Sequence, residues 1–126
     1  MKIRTQYTCL LEIVHDMIRG KWKTLIVFKL RRGNLQLSEL ERSIEGISQK
    51  MLLQHLNELR EFGIVDKISG EGYPLHVEYF LTERGQKMRK AVEIMQEIGI
   101  EYMIEHGQLE QLQTIFSTKE YPQKSK

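Results

Sequence analysis

Apolar residues recur at helical spacing through the first half of the chain, in four segments that glycines follow or separate. Glycine adopts at little cost the left-handed backbone conformation that ends many helices. The pattern therefore predicts four short helices, at about residues 8–19, 21–31, 38–43 and 49–62. The glycines between and after them are Gly20, Gly33, Gly46 and Gly63.

The first two predicted helices supply the start of the core. In the first, Leu11, Val14 and Ile18 share one face. The second is apolar on most sides, which is typical of a helix buried at the centre of a domain. Its apolar residues are Trp22, Leu25, Ile26, Val27, Phe28 and Leu30.

The third and fourth predicted helices have the order of a helix-turn-helix motif. Ser38 and Glu41 have the spacing of a capping box, in which both side chains meet free backbone amides at the start of a helix. After the turn at Gly46, Ser48 is placed to cap the fourth helix. A short helix, a tight turn and a second helix with one narrow apolar face together predict a DNA-binding module.

The outer face of the fourth predicted helix is polar. Leu52, Leu56 and Leu59 fall at positions i, i+4 and i+7 and predict an inner face that packs against the domain. Amides and a lysine on the other side can bond to base edges or phosphates, and a leucine can pack on a thymine methyl group. An ordinary solvated face is the alternative. The candidate DNA contacts here, with Ser38 on the preceding helix, are Ser48, Gln49, Lys50, Leu53, Gln54 and Asn57.

Two β-prone runs follow, at 64–68 and 76–81, and the glycines and proline of segment 69–74 predict a turn between them. This hairpin predicts a wing beside the fourth helix, where Lys67 and His76 can reach the neighbouring DNA backbone or minor groove. The expected fold class is mainly α with a small β-hairpin wing, a winged helix-turn-helix. The order of short helix, glycine turn, polar-faced helix and hairpin indicates DNA binding more specifically than any one of these elements does.

A long helix is predicted at about 83–105, with Thr82 placed to cap it, and a shorter helix at 109–116. A narrow apolar seam follows the heptad spacing of the long helix and suits a partner helix. We therefore expect a homodimer, with 8–19 and 83–105 as its dimerisation helices. Packing of the same residues on their own domain is the alternative. The expected interface residues are Leu11, Met88, Ala91, Met95, Ile98 and Tyr102.

Length and composition favour one domain without a membrane segment. The chain has 126 residues, 40% of them hydrophobic, and we expect a single domain over 1–118 with a flexible polar tail at 119–126. No apolar run is long enough to span a membrane and no secretory signal is evident, so the expected compartment is the cytoplasm. The net charge is only +2, but the first 32 residues carry eight basic and two acidic side chains, which permits contact with phosphates.

From Cys9 to about Tyr102 the chain resembles the HxlR-type winged-helix regulators. The resemblance implies a dimeric bacterial transcription factor whose fourth helix reads a groove of double-stranded DNA and whose terminal helices pair the subunits. A two-fold dimer suits a pseudo-palindromic operator. The pieces that match are Gly20-Lys21-Trp22-Lys23, Ser38-Glu39-Leu40, Gly46-Ile47-Ser48-Gln49-Lys50-Met51-Leu52, Leu56-Asn57-Glu58-Leu59, Gly63-Ile64-Val65, Pro74, Val77-Glu78-Tyr79 and Leu81-Thr82-Glu83-Arg84-Gly85.

Three positions depart from the family pattern. Gln36-Leu37 stands where the family has Arg-Phe, which removes a phosphate contact. Leu53 stands where threonine is usual, and Ile98-Gly99 where Trp-Gly is expected. The fold inference survives these changes, but the operator sequence does not carry over.

Cys9 is the only cysteine, so no disulfide can form within one chain. With Thr8 as the cap, Cys9 is expected in the first helical turn, where the helix dipole stabilises a thiolate, and Lys2 and Arg4 are close in sequence. Some relatives use a cysteine at this position to sense small oxidants or electrophiles, so the resemblance implies a redox sensor. A small buried hydrophobic residue is the alternative.

Catalysis and metal binding find little support. The chain has no phosphate-binding glycine loop, no paired metal-ligand motif and no clustered nucleophile and base, so an enzyme is not expected. Its four histidines are scattered, and neither a metal nor another cofactor is expected. A winged-helix module that binds protein without direct DNA binding is the remaining alternative, and the salt dependence of binding separates the two.

Overall fold

The structure, a computed structural model, describes residues 5–70 and 76–117. Its helices are α1 (Leu10–Ile18), α2 (Lys21–Lys29), α3 (Leu37–Ser43), α4 (Gln49–Glu61), α5 (Glu83–Glu105) and α6 (Leu109–Phe116), with a 3₁₀ turn at Leu30–Arg32 after α2. Its strands are β1 (Leu35–Gln36), β2 (Val65–Ser69) and β3 (Val77–Leu81). Residues 71–74 of the predicted turn, the tail at 119–126, and Lys2 and Arg4 lie outside the described residues.

The three strands form one antiparallel sheet in the order β1-β3-β2. β2 and β3 are the predicted hairpin, in which Val65 pairs with Leu81. β1 pairs with β3 through Leu35 and Tyr79. The sequence pattern did not predict β1, because two residues are too few to show strand alternation. With α3 and α4 packed beside this sheet, the fold is the predicted winged helix-turn-helix.

The start of α3 differs from the prediction. The backbone N–H of Gln36 donates to Oε1 of Glu39 at 2.9 Å, so the capping box begins at Gln36. The predicted box of Ser38 and Glu41 was wrong. The reason is β1: the chain leaves the sheet at Gln36 and turns directly into the helix at Leu37, which places Ser38 inside the first turn.

α2 lies at the centre of the core, as its apolar pattern predicted. Ile26 and Val27 of α2 are fully buried, and so are Leu52, Leu56 and Leu59 of α4. Burial of a leucine side chain contributes about 1.5–3 kcal/mol, so three of them fix which face of α4 points inward. The prediction that these leucines form the inner face is confirmed.

α5 is anchored to the segment between α4 and β2. Oγ1 of Thr82 accepts a hydrogen bond from the backbone N–H of Gly85 at 3.1 Å, so Thr82 caps the helix as predicted. Nη1 of Arg84 donates to the carbonyl oxygen of Phe62 at 2.7 Å. The Arg84 bond ties the long helix to the end of α4. Neither α5 nor any other helix of the described residues has the length and apolar character to cross a membrane.

Candidate nucleic-acid interface

α4 presents a polar face to solvent. Oγ of Ser48 accepts a hydrogen bond from the backbone N–H of Met51 at 3.1 Å, so Ser48 caps the helix as predicted. Because the leucines of α4 are buried on the other side, the first turns direct polar side chains outward. Leu53 is half-buried, and the other predicted contacts are exposed, namely Ser48, Gln49, Lys50, Gln54 and Asn57.

A cleft joins the starts of α3 and α4 to the wing. It brings together three predicted DNA contacts from three parts of the fold: Ser38 of α3, Gln49 of α4 and His76 just before β3. Ser38 and His76 are exposed, as Gln49 is. The cleft also contains the carboxylate of Glu41, which is an unfavourable neighbour for a phosphate.

His76 is held by its neighbours. Its Nε2 lies 2.6 Å from Oε2 of Glu78, and its Nδ1 lies 2.9 Å from the side-chain amide nitrogen, Nε2, of Gln36. Asn34 donates to the other oxygen of Glu78 at 3.2 Å. The bonds from His76 and Asn34 hold the pKa of Glu78 below its ordinary value. His76 was predicted to reach the DNA backbone or minor groove from the wing, and the structure places it in this polar network.

Lys67 is exposed on β2 next to an acidic residue. Its backbone N–H donates to Oδ1 of Asp66 at 2.8 Å, and Nε of Arg60 lies 3.4 Å from the same oxygen. The Lys67 amide and the Arg60 guanidinium lower the pKa of Asp66. An ionised carboxylate beside Lys67 weakens the attraction of this part of the wing for phosphates.

A buried charged cluster lies behind α4, and sequence reasoning missed it. Nζ of Lys23 on α2 is 2.8 Å from Oε1 of Glu58 on α4, and the two side chains are only 5% and 8% exposed. Nδ1 of His55 lies 3.6 Å from the same oxygen and makes no hydrogen bond within the described residues. A lysine on a helix that is apolar on most sides was the available signal, because a buried ammonium requires a carboxylate partner.

The electrostatics of this cluster follow from burial and from Lys23. Burial disfavours ionisation of Glu58, but the adjacent Lys23 ammonium outweighs it, so the pKa of Glu58 lies below its ordinary value. Burial and then the charge of Lys23 lower the pKa of His55. The cluster is not a metal site: among the described residues, no three His, Cys, Asp or Glu side chains are grouped to hold an ion.

An apolar stripe is exposed along α5. Met95, Ile98 and Tyr102 are 48%, 60% and 57% exposed, and Ala91 lies on the same side of the helix. Leu11 at the start of α1 is exposed as well. Met88, which was predicted with this set, is instead buried in the core of its own chain. The exposed stripe therefore begins after Met88.

Cys9 precedes α1 as its N-cap residue and is exposed. The prediction that Thr8 caps the helix was wrong. The backbone N–H and the hydroxyl of Thr8 both donate to the carboxylate of Glu12, at 3.1 and 2.9 Å, and this pairing leaves Cys9 at the helix boundary. The alternative of a small buried hydrophobic residue was also wrong, because the thiol side chain is open to solvent.

Known proteins resemble the chain in sequence and in fold. A family model described as HxlR-like helix-turn-helix matches residues 17–107. An uncharacterised HTH-type transcriptional regulator from Methanothermobacter thermautotrophicus is 36% identical over 97 residues, which cover 77% of this chain and 74% of the relative.

Two solved structures support the same assignment. The redox regulator HypR in its reduced form superposes with a TM-score of 0.71 at 34% identity, over 74% of this chain and 92% of that chain. The reduced form of the transcriptional regulator YodB from B. subtilis superposes with a TM-score of 0.65 at 32% identity, over 72% of this chain and 90% of that chain. The chain therefore belongs to the HxlR-like helix-turn-helix family and is a transcriptional regulator of the helix-turn-helix type.

Proposed function

We propose that the chain acts as a homodimer that binds specific sites in double-stranded DNA, with α4 in the major groove and the hairpin beside it. The observation that carries the proposal is the division of α4 into a fully buried leucine face and a polar face open to solvent. A helix with its side chains is about 10–12 Å across, and the major groove is about 12 Å wide.

The exposed residues of α4 carry the chemistry of base and phosphate recognition. The amides of Gln49 and Gln54 donate and accept hydrogen bonds, which matches the N6 and N7 atoms of adenine. The ammonium of Lys50 can reach a guanine or a phosphate. Leu53 offers an apolar surface to a thymine methyl group, and Asn57 extends the polar face by one turn.

Residues outside α4 flank these contacts. Ser38 and His76 line the same cleft as Gln49, so the start of α3 and the wing would meet the duplex next to the first turn of α4. The hydroxyl of Ser38 can donate to a phosphate, and Lys67 adds a cation on β2. Such contacts fix the position of a protein on DNA without reading its sequence.

The proposed dimer forms through the exposed stripe of α5. Met95, Ile98 and Tyr102 are large side chains that the described residues of their own chain leave about half exposed, and the proposed interface also includes the exposed Leu11 of α1. A dimer presents two copies of α4, which suits a pseudo-palindromic operator with half-sites about 34 Å apart. A single copy would reach one half-site only.

The proposed signal is a small electrophile or oxidant that reacts at Cys9. The thiol is exposed, and HypR, which the chain resembles, is named a redox regulator. Addition to a quinone-like alkene forms a C–S bond and transfers the thiol proton to the electrophile. Oxidation would instead join Cys9 to another subunit or to a small thiol, because the chain has no second cysteine.

Selection of bound duplexes from a random pool tests the proposal. We expect enrichment of two related half-sites in inverted orientation, with their centres about one helical turn or a multiple of it apart. Repeating the selection after treatment with a quinone shows whether the electrophile releases the DNA. Recovery of no enriched sequence would overturn the proposal and favour the protein-binding alternative.

A further inference from the structure

We propose that Lys23 and Glu58 are positioning residues, whose buried ion pair sets the orientation of α4 on the domain and thereby its affinity for DNA. The inference rests on the proposed function, because it concerns how α4 meets a duplex. It adds that two residues with no access to DNA control the contact.

The pair connects the recognition surface to the centre of the core. Lys23 lies on α2, and Glu58 follows Asn57 directly on α4. The Nζ to Oε1 distance is 2.8 Å with both side chains almost fully buried, so the bond is short, charge-assisted and shielded from solvent. His55 packs one turn before Glu58, against the same carboxylate oxygen.

The leucines of α4 alone do not determine its rotation closely. Apolar burial is non-directional, so Leu52, Leu56 and Leu59 keep their face of the helix against the core but resist small rotations about its axis less than a directional bond does. A charge-assisted hydrogen bond is directional. Rotation of α4 by about 20° would move a side-chain tip lying about 6 Å from the axis by about 2 Å, which is enough to break a hydrogen bond to a base.

A buried ion pair of this kind is weak as a source of stability. Its desolvation cost offsets most of the attraction, and replacement of both partners by apolar residues of similar volume is often neutral or stabilising. Retention of such a pair for conformational specificity is attested in some proteins. Affinity for DNA and stability should therefore separate when Lys23 and Glu58 are replaced together.

The test compares two double variants on a duplex that the parent chain binds. Lys23→Met with Glu58→Met removes the buried pair, and Arg89→Met with Glu93→Met removes the 2.9 Å surface pair of α5 as a matched control. We expect the first variant to unfold at a urea concentration no lower than the parent and to bind the duplex about tenfold more weakly. Its salt slope should be unchanged, because it loses no phosphate contact.

Parent-like affinity of the folded Lys23→Met, Glu58→Met variant would overturn the inference and leave the proposed function standing. Absence of binding by the parent itself would overturn both. If this variant does not fold, Glu58→Asp decides the question, since it keeps the charge and shortens the side chain. An affinity of Glu58→Asp within about twofold of the parent would then contradict the inference, and a larger loss would support it.

Discussion

Gly85, in the first turn of α5, lies directly against the backbone of Ile64: a Cβ atom at position 85 would overlap the Ile64 carbonyl oxygen. No side chain can move aside to relieve this contact, because the obstructing atom belongs to the main chain. We expect Gly85→Ala to lower the free energy of unfolding by about 3 kcal/mol, at the upper end of overpacking effects. Urea denaturation followed by circular dichroism measures the change.

Gly99 supplies the control for this prediction. It lies in the same helix, and a Cβ there would meet nothing within 4 Å. Alanine is favoured over glycine in a helix interior by about 0.5–1 kcal/mol, so Gly99→Ala should be slightly stabilising. Equal effects of the two substitutions would show that α5 does not dock against Ile64 as described.

The stability of the folded chain should fall in acid because of the cluster behind α4. Folding lowers the pKa of His55 below its ordinary value of 6.5. As the pH falls, the imidazole is therefore protonated in the unfolded chain before it is protonated in the folded chain, and unfolding becomes more favourable. The pKa of Glu58 lies below 4.5, so its contribution is present above that value and is lost as the pH falls through the folded pKa. Urea unfolding at about pH 7.5, 6 and 5 should show a steady decrease.

His55→Gln isolates the histidine part of this effect. The variant lacks the imidazole whose pKa is lowered on folding, so its stability should decrease less than that of the parent over the same range. A parent stability that rises on acidification would contradict the described cluster.

Local pattern predicted the parts of the fold that local interactions determine. The spacing of Leu52, Leu56 and Leu59 and the caps Ser48 and Thr82 were sufficient to place α4 and α5, because each signal lies within a few residues of the structure it specifies. The exposed polar face of α4 followed from the same spacing.

The features that sequence reasoning missed depend on contacts between distant segments. β1 exists only because Leu35 meets Tyr79, and its presence moves the start of α3. The partnership of Lys23 and Glu58 requires α2 and α4 to pack together, which no local period encodes. Burial of Met88 depends likewise on how α5 lies on its own domain.

Dimerisation should depend on the exposed stripe of α5. Ile98→Glu places a charge in the proposed interface, and we expect it to shift the chain to the monomer at micromolar concentration because an unpaired buried charge is costly. Ile104→Glu is the matched control: Ile104 is 56% exposed but lies on another side of the helix. Sedimentation equilibrium measures the oligomeric state of both variants. A dimeric Ile98→Glu variant, or a monomeric parent, would contradict the assigned interface.

The response to electrophiles should depend on Cys9. We expect quinones or diamide to reduce DNA binding by the parent, and Cys9→Ser to bind DNA equally well with and without treatment, because the serine hydroxyl is a far weaker nucleophile than a thiolate. Mass spectrometry of the treated parent should find the adduct on Cys9. Release of DNA by the treated serine variant would exclude Cys9 as the sensor.

The central claim, that the polar face of α4 meets a DNA duplex, is tested most directly by the salt dependence of binding with and without Lys50. Fluorescence anisotropy on the selected duplex, over a series of salt concentrations, gives the slope of log affinity against log salt. If Lys50 contacts a phosphate, Lys50→Ala should weaken binding and reduce the magnitude of the slope by about 0.9, whereas Lys90→Ala on α5 should leave it unchanged. Salt-independent binding, or affinities and slopes of Lys50→Ala equal to those of the parent, would contradict the account.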